Sequence, residues 1–157
     1  MTISKMAPED NENLANLIRT SLEAEGLAIP GTAYTDPQLD DLYHYYQGIN
    51  RAGYWVIKQD KTVVAGIGLA PITDTVCELQ KLYTDKTYRR QGYGSQLLTF
   101  VLEEARKFGY KQVYLETTPR LASAVRLYEA YGFQTLPAPL PDAGSHSSMD
   151  LWMLKDL

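Results

Sequence analysis

The chain has 157 residues, of which 45% are hydrophobic and 22% charged, and its formal net charge is −4. This length suits one domain with one core, and the apolar content excludes an intrinsically disordered chain. The acidic balance disfavours a general nucleic-acid-binding protein. The single cysteine, Cys77, excludes an internal disulfide, which is typical of a reducing compartment such as the cytoplasm.

The N-terminal residues contain no apolar segment of the signal-peptide kind, and no apolar run has the length of a membrane span. We therefore expect residues 1–157 to form a single cytoplasmic domain, with neither a membrane nor a nucleic acid as its partner.

The first fifty residues predict a short strand followed by two helices. Residues 2–6 suit a strand, and Pro8 can open a helix because its missing N–H costs nothing in the first turn. One helical face then carries the apolar residues Leu14, Leu17, Ile18 and Leu22. After a loop, Asp36 and Pro37 predict the cap and first turn of a second helix, which Gly48 ends.

The middle of the chain predicts three strands. Residues 54–58 and 62–69 are rich in β-branched and aromatic side chains, and residues 59–61 form the turn of a hairpin between them. A fourth strand is expected over residues 76–84.

The remaining chain alternates between helices and strands. A long helix has a buried stripe formed by Leu97, Leu98, Val101, Leu102, Ala105 and Phe108. A fifth strand over residues 111–117 precedes a helix over 118–132 with Thr118 as its cap, and strands over 133–136 and 149–155 follow. Hairpins come first and helical crossovers later. This order predicts an α/β fold with a mixed, mostly antiparallel sheet of about seven strands and helices on both faces.

The segment "YRRQGYGSQLL", Tyr88–Leu98, gathers positive charge and glycines at the start of the long helix. The first N–H groups of a helix have no internal partner, and the aligned peptide dipoles make this end positive. Glycines allow an anion to approach closely, and arginines attract it, so the segment favours a phosphate or pyrophosphate. An ordinary helix start is the simpler alternative. A Rossmann motif would need a glycine where Leu97 stands, and no Gly-Lys-Ser/Thr P-loop is present.

Residues 89–94, "RRQGYG", resemble the Q/R-x-x-G-x-G/A signature of the GNAT N-acetyltransferase superfamily. "ELQKLYTDKTYRRQGYGSQLL" and "LYEAYGF", residues 127–133, resemble further segments of that family in the same order. The resemblance covers nearly the whole chain and implies the GNAT fold. It also implies direct transfer of an acetyl group from acetyl-CoA to a primary amine of a small molecule or protein.

The resemblance also implies where acetyl-CoA binds. The pantetheine arm would bond to the strand backbone, like an added strand, at Leu82, Tyr83 and Thr84. The pyrophosphate would lie against Arg89, Arg90, Gln91, Gly92, Tyr93, Gly94 and Ser95. Leu121 stands where the family often has an asparagine, so a hydrogen bond from that side chain to the cofactor is not expected.

Two catalytic residues follow from the resemblance. Tyr128 would lie beside the thioester sulfur and donate a proton to the departing thiolate, with a packing role as the alternative. Glu78 is the candidate base that deprotonates the amine, with an exposed or salt-bridged carboxylate as the alternative. Glu116 is a second candidate base.

Strand alternation predicts two faces for the residues around Glu78. One face would hold Glu78, Gln80 and Leu82. The other would hold Cys77, Leu79, Lys81 and Tyr83. Cys77 itself is expected to be a buried apolar residue rather than a nucleophile.

The acceptor pocket of this family is usually built from the early helices and the C-terminal loop, here residues 26–46 and 134–148. Its expected aromatic walls are Tyr34, Tyr43, Tyr45 and Tyr46, and its acidic residues are Asp36, Asp40 and Asp41. For these aspartates, capping of a helix and interaction with its positive end is the favoured alternative. His44 and His146 have no metal-ligand spacing; His44 lies on the substrate side, and His146 is expected to be solvated. A non-catalytic acyl-CoA sensor is the alternative function, and a homodimer stays open.

Overall fold

The computed structural model describes residues 2–143 and 146–157. These residues form a seven-stranded sheet with helices packed on it. The strands are β1 Ile3–Lys5, β2 Gly53–Gln59, β3 Thr62–Pro71, β4 Val76–Thr84, β5 Gln112–Thr117, β6 Gln134–Leu136 and β7 Leu151–Asp156. The helices are α1 Asn11–Ala24, α2 Leu42–Gln47, α3 Tyr93–Lys107 and α4 Ala122–Ala130. Within the predicted loop over 134–148, Gly144 and Ser145 lie outside the described residues, as does Met1.

The strand order is β1-β2-β3-β4-β5-β7-β6, and every neighbouring pair is antiparallel except β4 and β5. A parallel pair needs a crossover, which α3 supplies between the two strands. The predicted order of elements and the mixed, mostly antiparallel sheet are therefore confirmed.

The helices cover both faces of the sheet, as predicted. The α3 stripe packs with β-strand residues and with Tyr128 of α4 in one apolar cluster. The buried residues of α1 and α2 form a second cluster on the opposite face. No helix within the described residues has the length and apolar character needed to cross a bilayer.

The predicted start of the second helix is wrong. The α2 helix begins at Leu42, and the Asp41 carboxylate caps it by accepting a hydrogen bond from the His44 N–H at 3.3 Å. Residues 39–41 form a short 3-10 turn before it. Asp36 does not cap this helix, because its carboxylate contacts Lys81 on β4 instead.

The predicted cap of the last helix is also wrong. Its N-cap position is Leu121, without a side-chain cap. The Thr118 hydroxyl accepts a hydrogen bond from the Arg120 N–H at 3.4 Å, and the Thr118 carbonyl accepts one from the Leu121 N–H at 3.0 Å. Thr118 therefore closes a turn between β5 and α4, and the helix begins three residues later than a Thr118 cap would place it.

Two glycines of β3 leave space for two buried tyrosines. A Cβ atom at Gly66 would lie 2.5 Å from Cε1 of Tyr54, and one at Gly68 would lie 2.5 Å from the Tyr46 hydroxyl oxygen. Both rings are almost wholly inaccessible to solvent. Side-chain bulk is thus excluded at both positions by close packing.

We expect Gly68→Ala to lower the free energy of unfolding by roughly 2 kcal/mol, because the added methyl overlaps the Tyr46 ring. Urea denaturation measures the change. Gly48→Ala is the matched control, since its Cβ would lie 3.5 Å from the nearest atom, the His44 carbonyl oxygen. Equal stability of Gly68→Ala and Gly48→Ala would contradict the close packing.

Candidate active site

The site begins where β4 and β5 stop pairing. Their parallel register covers only Val76 with Gln112, Cys77 with Val113 and Glu78 with Tyr114. The β4 strand nevertheless continues to Thr84, paired with β3 on its other side. Past Glu78, the edge of β4 that faces β5 is therefore open, and its backbone groups are available to an extended ligand.

A β-bulge lies in this open part of β4. Gly68 pairs with Gln80 and Gly66 with Tyr83, so two β4 residues oppose one residue of β3. Lys81 takes a left-handed conformation with φ 51°, and its carbonyl accepts a hydrogen bond from the Tyr54 hydroxyl at 2.6 Å. The buried tyrosine thus holds the bulge in place.

The bulge makes the predicted alternation wrong beyond Gln80. Leu82 packs against the α3 cluster together with Cys77 and Leu79 rather than on the face of Glu78. Tyr83 packs against the α1 and α2 cluster instead. An extra residue in a strand shifts every later side chain to the other face, and the local sequence does not show it.

A cavity of about 70 Å³ lies between the separated strands. Its walls come from β4, β5, α4 and the segment before β7. The predicted residues among its lining are Glu78, Leu82, Tyr83, Glu116, Leu121, Tyr128 and His146. The structure therefore brings both candidate bases and the candidate acid to one cavity.

Glu78 is a partly buried carboxylate held by a hydrogen bond. Gln80 Nε2 donates to Glu78 Oε1 at 2.8 Å, and Gln80 Oε1 accepts from the Tyr46 hydroxyl at 2.7 Å. Burial raises the pKa of Glu78, while the Gln80 hydrogen bond opposes the rise. Among the described residues no cation lies within salt-bridge distance of Glu78, so the exposed or salt-bridged alternative is not what the structure has.

Tyr128 and Glu116 complete the polar lining. Tyr128 is 5% exposed, and burial raises its pKa, which keeps the hydroxyl protonated. Its ring lies 5.7 Å from that of Phe133. Glu116 accepts a hydrogen bond from the Tyr114 hydroxyl at 2.7 Å. Tyr128 thus has both a packing contact and a place in the cavity wall.

The glycine-rich segment forms an open helix N-terminus. Arg90 and Gly92 have φ values of 66° and 80°, so the chain turns sharply before α3. The Gln96 N–H donates to the Gly92 carbonyl at 2.9 Å. In the part of the chain that the structure describes, the preceding N–H groups of residues 93–95 find no acceptor. They are the donors that an anion would use.

The side chains around this segment are partly engaged. The Ser95 hydroxyl hydrogen-bonds with that of Tyr131 on the neighbouring helix end. Arg89 lies 3.9 Å from the Glu25 carboxylate, and Arg120 Nη2 donates to the Glu25 carbonyl at 2.8 Å. Arg120 is thus a second arginine beside Glu25, and the sequence motif gives no signal for it.

An ion-pair cluster joins three distant parts of the chain at Asp36. The Lys81 ammonium lies 2.6 Å from Asp36 Oδ2, and His146 Nε2 lies 2.9 Å from Asp36 Oδ1. Burial raises the pKa of Asp36, but the His146 hydrogen bond and the Lys81 charge outweigh it, and the pKa falls from 3.8 to about 2. The expectation of a solvated His146 is therefore wrong.

The other expected side chains lie further from the chemistry. The Tyr34 hydroxyl donates to Glu23 at 2.9 Å, and the exposed His44 ring pairs with Asp41. Burial raises the pKa of Cys77 to about 12, which suits an inert thiol. Across residues 2–143 and 146–157 no group of three or more His, Cys, Asp or Glu side chains is arranged to hold a metal ion.

Residues 21–133 match the model of the acetyltransferase (GNAT) family. The chain belongs to this family and is an acyltransferase. It is 38% identical over 157 residues to a protein of Escherichia coli (strain K12) named "Uncharacterized N-acetyltransferase YjgM", covering 98% of this chain and 93% of that one. It is 32% identical to human N-acetyltransferase 8 over 114 residues, which are 67% of this chain and 50% of the relative.

Solved structures share the fold. An acetyltransferase of the GNAT family from Staphylococcus aureus Mu50 superposes with a TM-score of 0.90 at 21% identity, covering 99% of this chain and 98% of that one. An aminoglycoside 6'-N-acetyltransferase complexed with coenzyme A has a TM-score of 0.73 at 19% identity, with 99% and 97% covered. The single-domain α/β arrangement is thus that of GNAT structures.

We expect Asp36→Asn to lower the free energy of unfolding by about 3 kcal/mol near neutral pH, because it leaves the buried Lys81 without its counter-charge. The lowered pKa of Asp36 stabilises the fold above pH 3.8, and this contribution is lost as the pH falls through about 2. Urea unfolding at a series of pH values should show the difference from wild type shrinking in that window. Asp40→Asn, whose side chain is 78% exposed, is the control. A difference that is independent of pH would contradict the ion pair.

Proposed function

We propose that the protein is an acetyl-CoA-dependent N-acetyltransferase that transfers the acetyl group directly to a primary amine of a small molecule or protein. The observation that carries this proposal is the open edge of β4, which joins the cationic start of α3 to the cavity that Glu78 and Tyr128 line. We further propose that residues 1–157 act as one domain in the cytoplasm.

The donor-site residues fit coenzyme A on two grounds. The N–H groups of residues 93–95, which find no acceptor among the described residues, would hold the pyrophosphate together with Arg89 and Arg90. The backbone of residues 82–84 lies on the open edge of β4 and would bond to the pantetheine arm as a neighbouring strand does. The thioester at the end of that arm would then lie in the cavity that Glu78 and Tyr128 line. Gln91 and Gly92 form the turn that presents this helix end.

The chemistry needs a neutral amine and a departing thiolate. The Glu78 carboxylate takes the proton from the ammonium group, directly or through water, and burial makes it a stronger base than a solvated carboxylate. The amine nitrogen then bonds to the thioester carbonyl carbon, and the carbon–sulfur bond breaks. Tyr128 donates its proton to the sulfur as negative charge develops there, and the second proton of the amine nitrogen passes through water to restore the tyrosine hydroxyl.

The acceptor would enter from the side of Asp36 and His146. Two loops meet there, because the Ser148 N–H donates to the Gly31 carbonyl at 3.0 Å and the Ser148 hydroxyl donates to that of Pro30 at 2.7 Å. A side closed by such contacts supports a small amine more than an extended peptide. The acidic side chains Glu78 and Glu116 favour an acceptor that carries positive charge. The alternative of a non-catalytic acyl-CoA sensor gains no support from the relatives.

A screen of thiol release from acetyl-CoA across amines tests the function. We expect release with at least one small primary amine and weaker release with peptides that offer only an N-terminus or a lysine. Tight CoA binding by the wild type without thiol release from any amine would favour the non-catalytic sensor.

Tyr128→Phe should lower kcat at least about tenfold while leaving CoA affinity unchanged, because only the proton donor is removed. An unchanged kcat in Tyr128→Phe would mean that Tyr128 has only a packing role.

Gly94→Asp should weaken CoA binding at least about tenfold, because it adds bulk and negative charge where the pyrophosphate would lie. Titration calorimetry measures the affinity, and the rise in melting temperature with CoA gives a second readout. Gly94→Ala is the matched control, since its Cβ would lie 3.4 Å from Leu127 and adds no charge. Equal affinity of the Asp and Ala variants would place the phosphates elsewhere.

A further inference from the structure

A chain of hydrogen bonds leads from a buried helix residue to the proposed base. The Tyr46 hydroxyl lies 2.7 Å from Gln80 Oε1, and Gln80 Nε2 lies 2.8 Å from Glu78 Oε1. Tyr46 belongs to α2, whereas the other two residues are neighbours on one face of β4. The chain thus crosses from the helix layer into the cavity wall.

The sheet is built to admit this contact. Gly68 lies beside Gln80 in the β3–β4 register, and a Cβ atom there would fall 2.5 Å from the Tyr46 hydroxyl oxygen. The absence of a side chain at Gly68 lets the tyrosine reach Gln80. The Tyr46 ring is 4% exposed, so water does not compete freely for its hydroxyl.

The polarity of the chain is fixed at both ends. Burial raises the pKa of Tyr46 well above its ordinary value, so the hydroxyl keeps the proton that it donates to Gln80 Oε1. Gln80 therefore turns its oxygen toward Tyr46 and its NH₂ group toward Glu78. An ionised carboxylate can only accept hydrogen bonds, which matches this orientation. A reversed amide would set an oxygen against the carboxylate.

We propose that Tyr46 and Gln80 are positioning residues that keep Glu78 ionised and directed into the cavity. This inference rests on the function proposed above, in which Glu78 is the base. If Tyr46 only packed in the core, its hydroxyl would not be needed. The proposed role requires that hydroxyl, because it donates the hydrogen bond to Gln80.

Several other groups act on the same carboxylate. Burial raises the pKa of Glu78 most strongly, and Glu116 on β5 raises it further. The Gln80 hydrogen bond lowers it, as do His146 before β7 and Lys81 on β4. The α2 residues Tyr45 and Tyr46 and the β5 residue Tyr114 also face it, and their hydroxyls carry no charge near neutral pH. The Gln80 bond is the lowering contribution that a single hydroxyl deletion can disturb.

The test is the pH dependence of kcat/KM in Tyr46→Phe and in Gln80→Met. Without the tyrosine hydroxyl, the Gln80 amide loses its fixed orientation, and the carboxylate loses its donor. The pKa of Glu78 should rise, so the acid limb of the kcat/KM profile, where the rate falls as Glu78 is protonated, should move up by about one pH unit. At pH values below this limb, kcat/KM should be about tenfold lower than in the wild type. Activity should recover at higher pH, which a general loss of structure would not allow.

Tyr110→Phe is the matched control. Tyr110 is also a buried tyrosine, and its hydroxyl donates to the Arg51 carbonyl at 2.8 Å, away from the cavity. The Tyr110→Phe variant should therefore leave the acid limb of the kcat/KM profile at the wild-type pH. Melting temperatures show whether each variant is folded, and Gln80→Met decides the matter should Tyr46→Phe fail to fold.

A second readout does not need an amine. Carbon-13 NMR titration of the glutamate carboxyls, with Glu78→Gln for assignment, should show the Glu78 titration moving to higher pH in both variants. An unchanged Glu78 titration together with an unmoved acid limb would overturn the inference. If the wild type acetylates no amine, the proposed function fails, while the NMR titration still decides whether Tyr46 and Gln80 govern the ionisation of Glu78.

Discussion

The separation of β4 from β5 after Glu78 is the constraint on which the candidate active site depends. Paired strands satisfy one another's backbone groups, so continued pairing would close the sheet and leave no room for a ligand. Here the parallel register ends after three positions, while β3 keeps β4 ordered to Thr84. The edge of β4 is therefore open on one side and paired with β3 on the other, and it leads from the start of α3 to the cavity.

Two tyrosine side chains that lie over the glycines of β3 fix the other side of β4. Tyr54 and Tyr46 fill the spaces at Gly66 and Gly68, and their hydroxyls bond to the Lys81 carbonyl and the Gln80 side chain. One tyrosine holds the bulge, and the other orients the amide beside Glu78. Because both rings are buried, these bonds are shielded from water, and the wall of the cavity is held by the core itself.

Hydrophobic periodicity predicted the order of the elements, whereas the capping signals at Asp36 and Thr118 did not give the helix starts. The alternation in β4 up to Gln80, the apolar stripe of α3 and the glycines around residues 92–94 were predicted correctly, because periodicity and glycine conformation depend on near neighbours. Sequence reasoning failed at the β-bulge, where one extra residue reversed the faces of Leu82 and Tyr83. The propensities of the residues around Lys81 do not encode that insertion, which is defined only against the partner strand.

The sequence by itself determined the order of elements, the family and the candidates Glu78 and Tyr128, because motifs and hydrophobic periods lie along the chain. Only the tertiary structure decided that Asp36, Lys81 and His146 meet, and that Tyr46 reaches Glu78 through Gln80. These partners are separated by up to 110 residues, as for His146 and Asp36. Contacts of this range arise from packing of the two helix layers on the sheet, and residue type alone does not specify which polar groups become neighbours.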